Sequence, residues 1–238
     1  MFLKFNNVSF AYGEYHALRN LTFSCESGEI VGLVGENGAG KSTTIKNIVR
    51  YLKPRSGEIL INGKNIADIK DDYPVSYIPD TPVFYDELSL YEHLLFLKTV
   101  YPNNPVTVEE LLDRLELRPY LNKLPFSLSK GTRQKLMIGI ALLREYDILI
   151  ADEPFSGLDP KQIKLLKKTF LQQKEKGKLV IVSSHLLDVV ENICDRFVIL
   201  KQGQLEASGT KADLVQMSGL PDHGGSMEDI YMRLIADE

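Results

Sequence analysis

The amino-acid sequence predicts an α/β fold with a parallel-sheet core, an N-terminal antiparallel β subdomain and an inserted helical subdomain. The segments from Phe2 to Phe10 and from Leu18 to Cys25 alternate apolar with polar side chains, as antiparallel strands with one buried face do. The continuous apolar run from Leu179 to Val182 is typical of a parallel sheet that is covered on both faces. From Tyr85 to Tyr146, leucines recur near a 3.6-residue period and prolines divide the segment, which indicates several helices.

Length and charge limit the classes of protein to consider. We expect a single domain over residues 1–238, with a core at about 1–80 and 147–205, a helical subdomain at about 81–146 and a C-terminal tail at about 206–238. The formal net charge of −4 gives no global electrostatic reason to bind nucleic acid, because such binding depends on neutralising phosphates with Lys and Arg. We therefore expect no nucleic-acid partner.

The cysteines and the lack of long apolar runs bear on location. Cys25 and Cys194 have no metal-ligand spacing, so we predict small buried apolar residues in a reducing compartment, the cytoplasm. No apolar run approaches the roughly 20 residues that cross a bilayer, and the first residues lack the features of a signal peptide. If the protein works at a membrane, another chain has to anchor it.

Further core elements follow from short apolar runs and from helix signals. A helix is predicted from Pro160 to about Lys176. A second begins at Ser226 in the tail and is expected to dock on the chain's own core rather than on a second copy. The other predicted core strands are Ile30 to Val34, Gly57 to Gly63, Val75 to Ile78, Asp147 to Ala151 and Arg196 to Leu200.

The stretch from Gly35 to Thr43 reads GENGAGKST and lies between an apolar strand and a helix predicted from Thr44 to Arg50. This is the pattern G-x-x-x-x-G-K-[ST], the P-loop. Its glycines allow positive φ angles, so that successive N–H groups turn toward a phosphate, and the helix N-terminus adds partial positive charge. A glycine-rich turn that binds nothing is the alternative. The predicted nucleotide-binding residues of this loop are Gly35, Asn37, Gly38, Ala39, Gly40, Lys41, Ser42 and Thr43.

Two acids complete a P-loop nucleoside triphosphatase (RecA-like) core. Lys41 is expected on the β and γ phosphates, and Ser42 on Mg²⁺. Asp152 ends an apolar strand 111 residues after Lys41 and is predicted to hold Mg²⁺, while Glu153 polarises the attacking water. Such a dipeptide alone is more often a solvated turn, but the P-loop reverses that preference. Since no guanine-reading Asn-Lys-x-Asp segment is present, we predict adenine as the base.

The segment from Leu128 to Gln134, LSKGTRQ, resembles the signature motif of ABC ATPases. The resemblance spans nearly the whole chain and is weakest after about residue 209. It implies that Ser129 and Gly131 bind ATP that is held by the P-loop of a second copy, in a head-to-tail homodimer. Lys130 and Thr132 depart from the family pattern, which has Gly and Gln there. Lys130 either adds a cation near the opposed γ phosphate or points outward.

The same resemblance assigns four further residues. Asp159, in Ser156-Gly157-Leu158-Asp159, is similar to the D-loop Asp that makes contacts across the dimer. His185 resembles the switch histidine at the γ phosphate, and Tyr12 the aromatic that stacks on adenine, although Tyr12 alone suggests ordinary packing. Asp80 stands where the family usually has Gln, and is implied to face Mg²⁺ or the attacking water. The implied catalytic residues are Lys41, Glu153 and His185, and the implied Mg²⁺ ligands are Ser42, Asp80 and Asp152.

Residues 77–94 and 128–135 closely resemble the ATPase subunit of Ecs-type transporters. That branch implies an ATP-hydrolysing subunit that powers a transporter by ATP-driven dimer closure on a separate integral membrane subunit, at the inner face of the cell membrane. Phe84, Tyr85 and Tyr91 then form a groove for a helix of that partner, or they pack inside the helical subdomain. A soluble ABC-type ATPase switch without transport is the alternative function. Intact Glu153 and His185 disfavour a scaffold that binds ATP without turnover.

Overall fold

A computed structural model gives the structure of residues 3–221 and 225–236. Within these residues the strands form a four-stranded and a six-stranded sheet. The strands are β1 (Leu3–Tyr12), β2 (Tyr15–Cys25), β3 (Ile30–Val34), β4 (Ser56–Ile61), β5 (Lys64–Asn65), β6 (Val75–Ile78), β7 (Ile148–Asp152), β8 (Leu179–Ser184), β9 (Arg196–Lys201) and β10 (Gln204–Gly209). The α-helices are α1 (Lys41–Ile48), α2 (Leu90–Val100), α3 (Val108–Arg114), α4 (Lys130–Leu143), α5 (Pro160–Glu175), α6 (Leu187–Glu191), α7 (Lys211–Ser218) and α8 (Met227–Ile235).

The six-stranded sheet carries the nucleotide site. Its order is β10-β9-β3-β8-β7-β6, in which β10 pairs antiparallel with β9 and the other pairs are parallel. Strands β3, β7 and β8 are buried along their whole length, because both faces of the sheet are covered. This confirms the predicted parallel core. The carboxyl ends of β3, β7 and β8 meet at one edge of the sheet, where ligands bind in open α/β folds.

The N-terminal subdomain is the predicted antiparallel sheet, with the order β2-β1-β4-β5. Strands β1 and β2 are longer than the alternation of side chains predicts. They continue to Tyr12 and Tyr15, which pair across a turn at Gly13 and Glu14. Gly13 has a φ of +58°, which a tight hairpin connection favours. The extended ladder places Tyr12 and Tyr15 at the end of the sheet.

The predicted helices between residues 85 and 146 are α2, α3 and α4, inserted between β6 and β7. A side-chain cap starts each of them. Ser89 and Glu92 form a reciprocal capping box at α2, Thr107 accepts from an N–H group of α3, and Ser129 does the same at α4. The leucines of the predicted period form a shared buried core, which includes Leu94, Leu111, Leu112, Leu115 and Leu136.

The predicted bounds of helix α1 were wrong at both ends. Helix α1 begins at Lys41 rather than Thr44, because Gly40 caps it in a left-handed conformation with a φ of +107°. It ends at Ile48, and Arg50 has a positive φ of +64° that ends the helical segment. Strand β10 continues the sheet past the expected core boundary at residue 205, since it pairs with β9 to Gly209.

The described part of the tail docks on the core, as predicted. Met227, Ile230 and Tyr231 of α8 are buried, and Ser226 and Asp229 form the expected capping box.

Burial raises the pKa of the Cys25 thiol to about 12 and raises that of Cys194, which is partly exposed rather than fully buried. Among residues 3–221 and 225–236, no helix combines the length and apolar character that a membrane span requires.

Candidate nucleotide-binding site

The loop between β3 and α1 requires glycine at defined positions. Gly38 and Gly40 have φ angles of +87° and +107°, which disfavour other residues. An added Cβ at Gly35 would lie 2.6 Å from the carbonyl oxygen of Leu200, and one at Gly40 would lie 2.9 Å from Leu18 Cδ2. The backbone therefore turns as an anion-binding loop must, at the N-terminus of α1.

Lys41 is a buried cation at the first position of α1. Its Nζ donates hydrogen bonds to the carbonyl oxygens of Gly35 (2.7 Å) and Glu36 (3.2 Å). It also lies 3.6 Å from Glu153 Oε1. The ammonium group is thus folded over the loop, where phosphate oxygens would compete with these carbonyl oxygens as acceptors.

Asp152, at the end of β7, is a buried carboxylate next to two hydroxyl groups. Ser42 Oγ lies 3.5 Å from Asp152 Oδ1, and Ser183 Oγ donates to the same oxygen over 2.5 Å. Burial raises the pKa of Asp152, the two hydroxyl hydrogen bonds lower it, and the charges of Glu153 and Asp80 raise it further. A carboxylate and a hydroxyl at this separation are hard oxygen donors, which fits Mg²⁺.

Glu153 is held by three contacts in a conformation that costs energy. Its φ is +46°, in the left-handed region that non-glycine residues rarely adopt. Its N–H donates to Ser183 Oγ (2.9 Å), and its Oε2 lies 2.8 Å from His185 Nδ1. With Lys41 at Oε1, the carboxylate is oriented by a cation and a histidine at the edge of the P-loop cavity.

A cavity of about 290 Å³ joins most of the predicted site residues. Tyr12 stands at its rim, 46% exposed, with its ring 4.9 Å from that of Phe10 in an edge-to-face arrangement. Gly35, Ala39, Asp152 and His185 do not line it, although Asp152 contacts the Ser42 hydroxyl and His185 contacts Glu153. The lining residues are Tyr12, Tyr15, Ala17, Glu36, Asn37, Gly38, Gly40, Lys41, Ser42, Thr43, Asp80 and Glu153.

Ser129, Gly131 and Asp159 do not line this cavity. Exposed Ser129 caps α4 and bonds to the backbone and hydroxyl of Thr132, and exposed Asp159 caps α5. Lys130 contacts its own chain, since an added Cβ at Gly157 would lie 2.8 Å from Lys130 Nζ. Their action on a second copy therefore stays a prediction.

The role of Ser183 was not predicted from the sequence. Its hydroxyl joins Asp152 to the backbone of Glu153 and is fully buried in β8. The available signal was a polar residue just before the carboxyl end of an apolar strand. Tyr77 lies near Asp152 on the neighbouring strand β6, where burial raises the pKa of its hydroxyl and the charge of Asp152 raises it further.

The parallel sheet, the phosphate loop and the strand-end acids define a P-loop nucleoside triphosphatase. The family model described as ABC transporter matches residues 18–156. The ABC-type transporter ATP-binding protein EcsA of Bacillus subtilis (strain 168) is 38% identical to this chain, over 99% of this chain and 97% of its own length. The chain therefore belongs to the ABC transporter family, as an ATP-binding and ATP-hydrolysing protein that uses Mg²⁺.

Solved structures agree with this assignment and with the predicted fold class. The structure of an ATP binding subunit of an ABC transporter is 40% identical, has a TM-score of 0.89, and covers 99% of this chain and 100% of its own. The dimeric structure of the bacterial ABC transporter cassette MJ0796 is 30% identical, with a TM-score of 0.75 over 87% of this chain and 98% of its own. The resemblance to the Ecs-type ATPase is confirmed.

The Ser183 hydroxyl gives a testable prediction. We expect Ser183→Ala to lower kcat roughly tenfold or more, because it removes hydrogen bonds to Asp152 and to the Glu153 N–H that are worth about 1 kcal/mol each. Ser184→Ala is the matched control, since Ser184 is buried on the same strand but bonds to Leu186. Steady-state ATPase rates at varied Mg²⁺ concentration measure both, and equal losses in the two variants would contradict the role of Ser183.

Proposed function

We propose that this chain is the ATP-hydrolysing subunit of a transporter, cytoplasmic and peripheral on the inner face of the cell membrane, where it works as a homodimer on a separate membrane subunit. The observation that carries the proposal is the constellation of Lys41, Asp152 and Glu153 at one edge of the sheet. The transporter names of its relatives support the coupling to transport.

Within this proposal the P-loop N–H groups and Lys41 hold the phosphates of ATP. Ser42 and Asp152 would hold Mg²⁺, with exposed Asp80 facing the same cavity as Ser42. The ion would supply positive charge that offsets the charge of the phosphates. Glu153 accepts a proton from the water that attacks the γ phosphorus, and the bond to ADP breaks as phosphate forms. His185, at 2.8 Å from Glu153, orients that carboxylate, and Tyr12 stacks on the adenine.

Exposed motifs on the same chain support the homodimer. Ser129 is an exposed residue that caps a 14-residue helix, and Asp159 is exposed at the start of α5. Neither lines the cavity of its own chain. A head-to-tail pair places Ser129 and Gly131 of one copy against the phosphates bound by the other, which gives the helix N-terminus an anion to face. The dimeric cassette MJ0796 provides a precedent.

We propose a surface for the membrane subunit that differs from the groove expected at Phe84, Tyr85 and Tyr91. Phe84 and Tyr91 pack partly against the buried core, while Tyr85 is exposed. A different groove of about 450 Å³ lies between the core and the helical subdomain. Val83 (81% exposed) and Tyr51 (72% exposed) lie at this groove, which has the aromatic and aliphatic lining that an amphipathic helix requires. Its other lining residues include Tyr77, Leu97, Tyr101, Met137 and Ile140.

Copurification from detergent-solubilised membranes of the native host tests this assignment. We expect the wild-type chain to copurify with an integral membrane protein, and Val83→Glu to lose most of this association, because a charge would be buried in an apolar contact. Met217→Glu on α7 is the matched control, since Met217 is also exposed (58%) but lies outside the groove.

ATPase activity of the purified variants shows whether the site is intact. A wild-type chain that hydrolyses ATP but copurifies with no membrane protein would favour the ATPase switch without transport. If Val83→Glu and Met217→Glu associate with the membrane protein equally, the groove is not the docking surface.

A further inference from the structure

Gln162, on the first turn of α5, contacts two segments that belong to different parts of the fold. Its backbone N–H donates to Asp159 Oδ1 (2.9 Å), and its side-chain Oε1 accepts from the Asp159 N–H (3.3 Å). The amide end also lies against α4, since an added Cβ at Gly131 would lie 2.2 Å from Gln162 Nε2 and 2.4 Å from Oε1. One side chain thus joins the end of the Ser156–Asp159 loop to the start of α4.

Two neighbouring contacts lie at the same junction, one between the segments themselves and one between the helices that follow them. The Lys130 side chain lies along Gly157, where an added Cβ would be 2.8 Å from Nζ and 3.3 Å from Cδ and Cε. Gly157 has a φ of +70°, so glycine suits this position both for its backbone and for its neighbour. On the surface, Glu116 accepts from Lys135 of α4 (3.3 Å) and from Lys161 of α5 (2.9 Å), a weaker and exposed link.

We propose that Gln162 is a positioning residue that holds the signature segment 129–131 and the loop 156–159 as one unit. The inference deepens the proposed function and rests on its homodimer, in which both segments meet the second copy. The signature segment starts the helical subdomain's last helix, whereas the loop follows β7 in the core. Because the two segments are linked, a contact that one of them forms with the second copy also fixes the position of the other. ATP-driven closure of the dimer then engages both segments together.

The geometry explains why Gln162 and Gly131 depend on each other. The capping box fixes the Gln162 amide, so a larger residue at position 131 displaces that amide and breaks its bond to the Asp159 N–H. The Asp159 carboxylate keeps its own bond to the backbone of residue 162, whatever the side chain there is. Removal of the amide therefore loosens the link between the segments while it leaves half of the helix cap in place.

The experiment compares Gln162→Ala with wild type in the full chain by two methods. Hydrogen exchange of the nucleotide-free protein, read at residues 130–133 and 156–159, is expected to quicken at both segments. ATP turnover is expected to show a kcat lower by about tenfold, with ATP affinity unchanged within twofold, because the P-loop is untouched. The matched control is Gln216→Ala on α7, the same change at an exposed glutamine. Gln162→Glu keeps the shape and the acceptor, so its exchange is expected to stay at the wild-type level.

Each result decides a separate point. Faster exchange at both segments together with a kcat-only loss supports the positioning role. Faster exchange at one segment alone, an unchanged kcat, or an equal change in ATP affinity overturns it. If the wild-type chain neither hydrolyses ATP nor dimerises with it, the proposed function fails, and the exchange data still decide whether Gln162 links the two segments.

Discussion

Glu153→Gln is expected to bind ATP and Mg²⁺ yet to hydrolyse ATP about 10²–10⁴-fold more slowly than wild type. The expected loss is that of a general base, because Gln keeps the shape of the side chain but cannot take the proton from water. The P-loop and Lys41 remain in place, so nucleotide affinity is retained. Removal of a negative charge near the γ phosphate also lowers repulsion in the closed state, and ATP should then trap a homodimer.

Light scattering after size exclusion, with ATP and Mg²⁺, measures the trapped dimer, and single-turnover assays measure the chemical step. Glu175→Gln at the exposed end of α5 is the control and should behave as wild type. Hydrolysis at the wild-type rate in Glu153→Gln would remove the assignment of the base. Slow hydrolysis without an ATP-dependent dimer would leave the base in place but remove the closure step.

The fold was predictable because its main elements carry strong local signals. Strand β6 was predicted to the residue, and α5 to within one residue, since Pro160 starts the helix and a glycine follows its end. Strand β10 was not predicted, because its polar and small residues carry little periodic signal and its place depends on pairing with β9. Helix α1 begins earlier than predicted, at the residue that follows the left-handed Gly40.

The site was predictable in composition but not in its connections. The strand-to-helix pattern located Lys41 and Ser42, and the end of an apolar strand located Asp152 and Glu153. No sequence rule indicates that Ser183 joins these two acids, because that contact depends on the register of β7 and β8, which pairs Asp152 with Ser183. Pairing across parallel strands is a long-range property that local patterns do not encode.

For the same reason, the sequence did not predict which aromatic residues of the helical subdomain face the core. An amphipathic pattern indicates that an aromatic ring lies on a helix or near its start, but not whether the ring faces the core. Phe84 packs edge-to-face on buried His93, with ring centroids 5.5 Å apart, so less of its ring is free for the proposed partner than at exposed Tyr51 or Val83. Tyr51 follows α1 and lies outside residues 77–94, whose resemblance to the Ecs-type ATPase predicted the groove.

Lys41→Ala is expected to weaken ATP binding by about 10–100-fold and to reduce turnover below detection. Lys41 Nζ forms charge-assisted hydrogen bonds, and those to phosphate are worth roughly 1.5–3 kcal/mol. Its loss also leaves Glu153 without its neighbouring cation and brings that carboxylate's charge against the γ phosphate unscreened. Both effects oppose the transition state, in which charge is spread over the phosphoryl oxygens. Equilibrium binding of a fluorescent ATP analogue and steady-state turnover measure the two losses.

Lys53→Ala is the matched control, because Lys53 is exposed just beyond α1 and should change neither quantity. Lys41→Arg separates charge from shape: the guanidinium keeps the charge but does not fit the place where the ammonium meets two loop carbonyls, so we expect binding to recover more than turnover. If Lys41→Ala binds ATP as tightly as wild type, the buried ammonium is held only by the loop carbonyls and Glu153, and the phosphates must lie elsewhere. The roles assigned to Ser42, Asp152 and Glu153 all assume that the phosphates lie next to Lys41, so that result would contradict all three assignments.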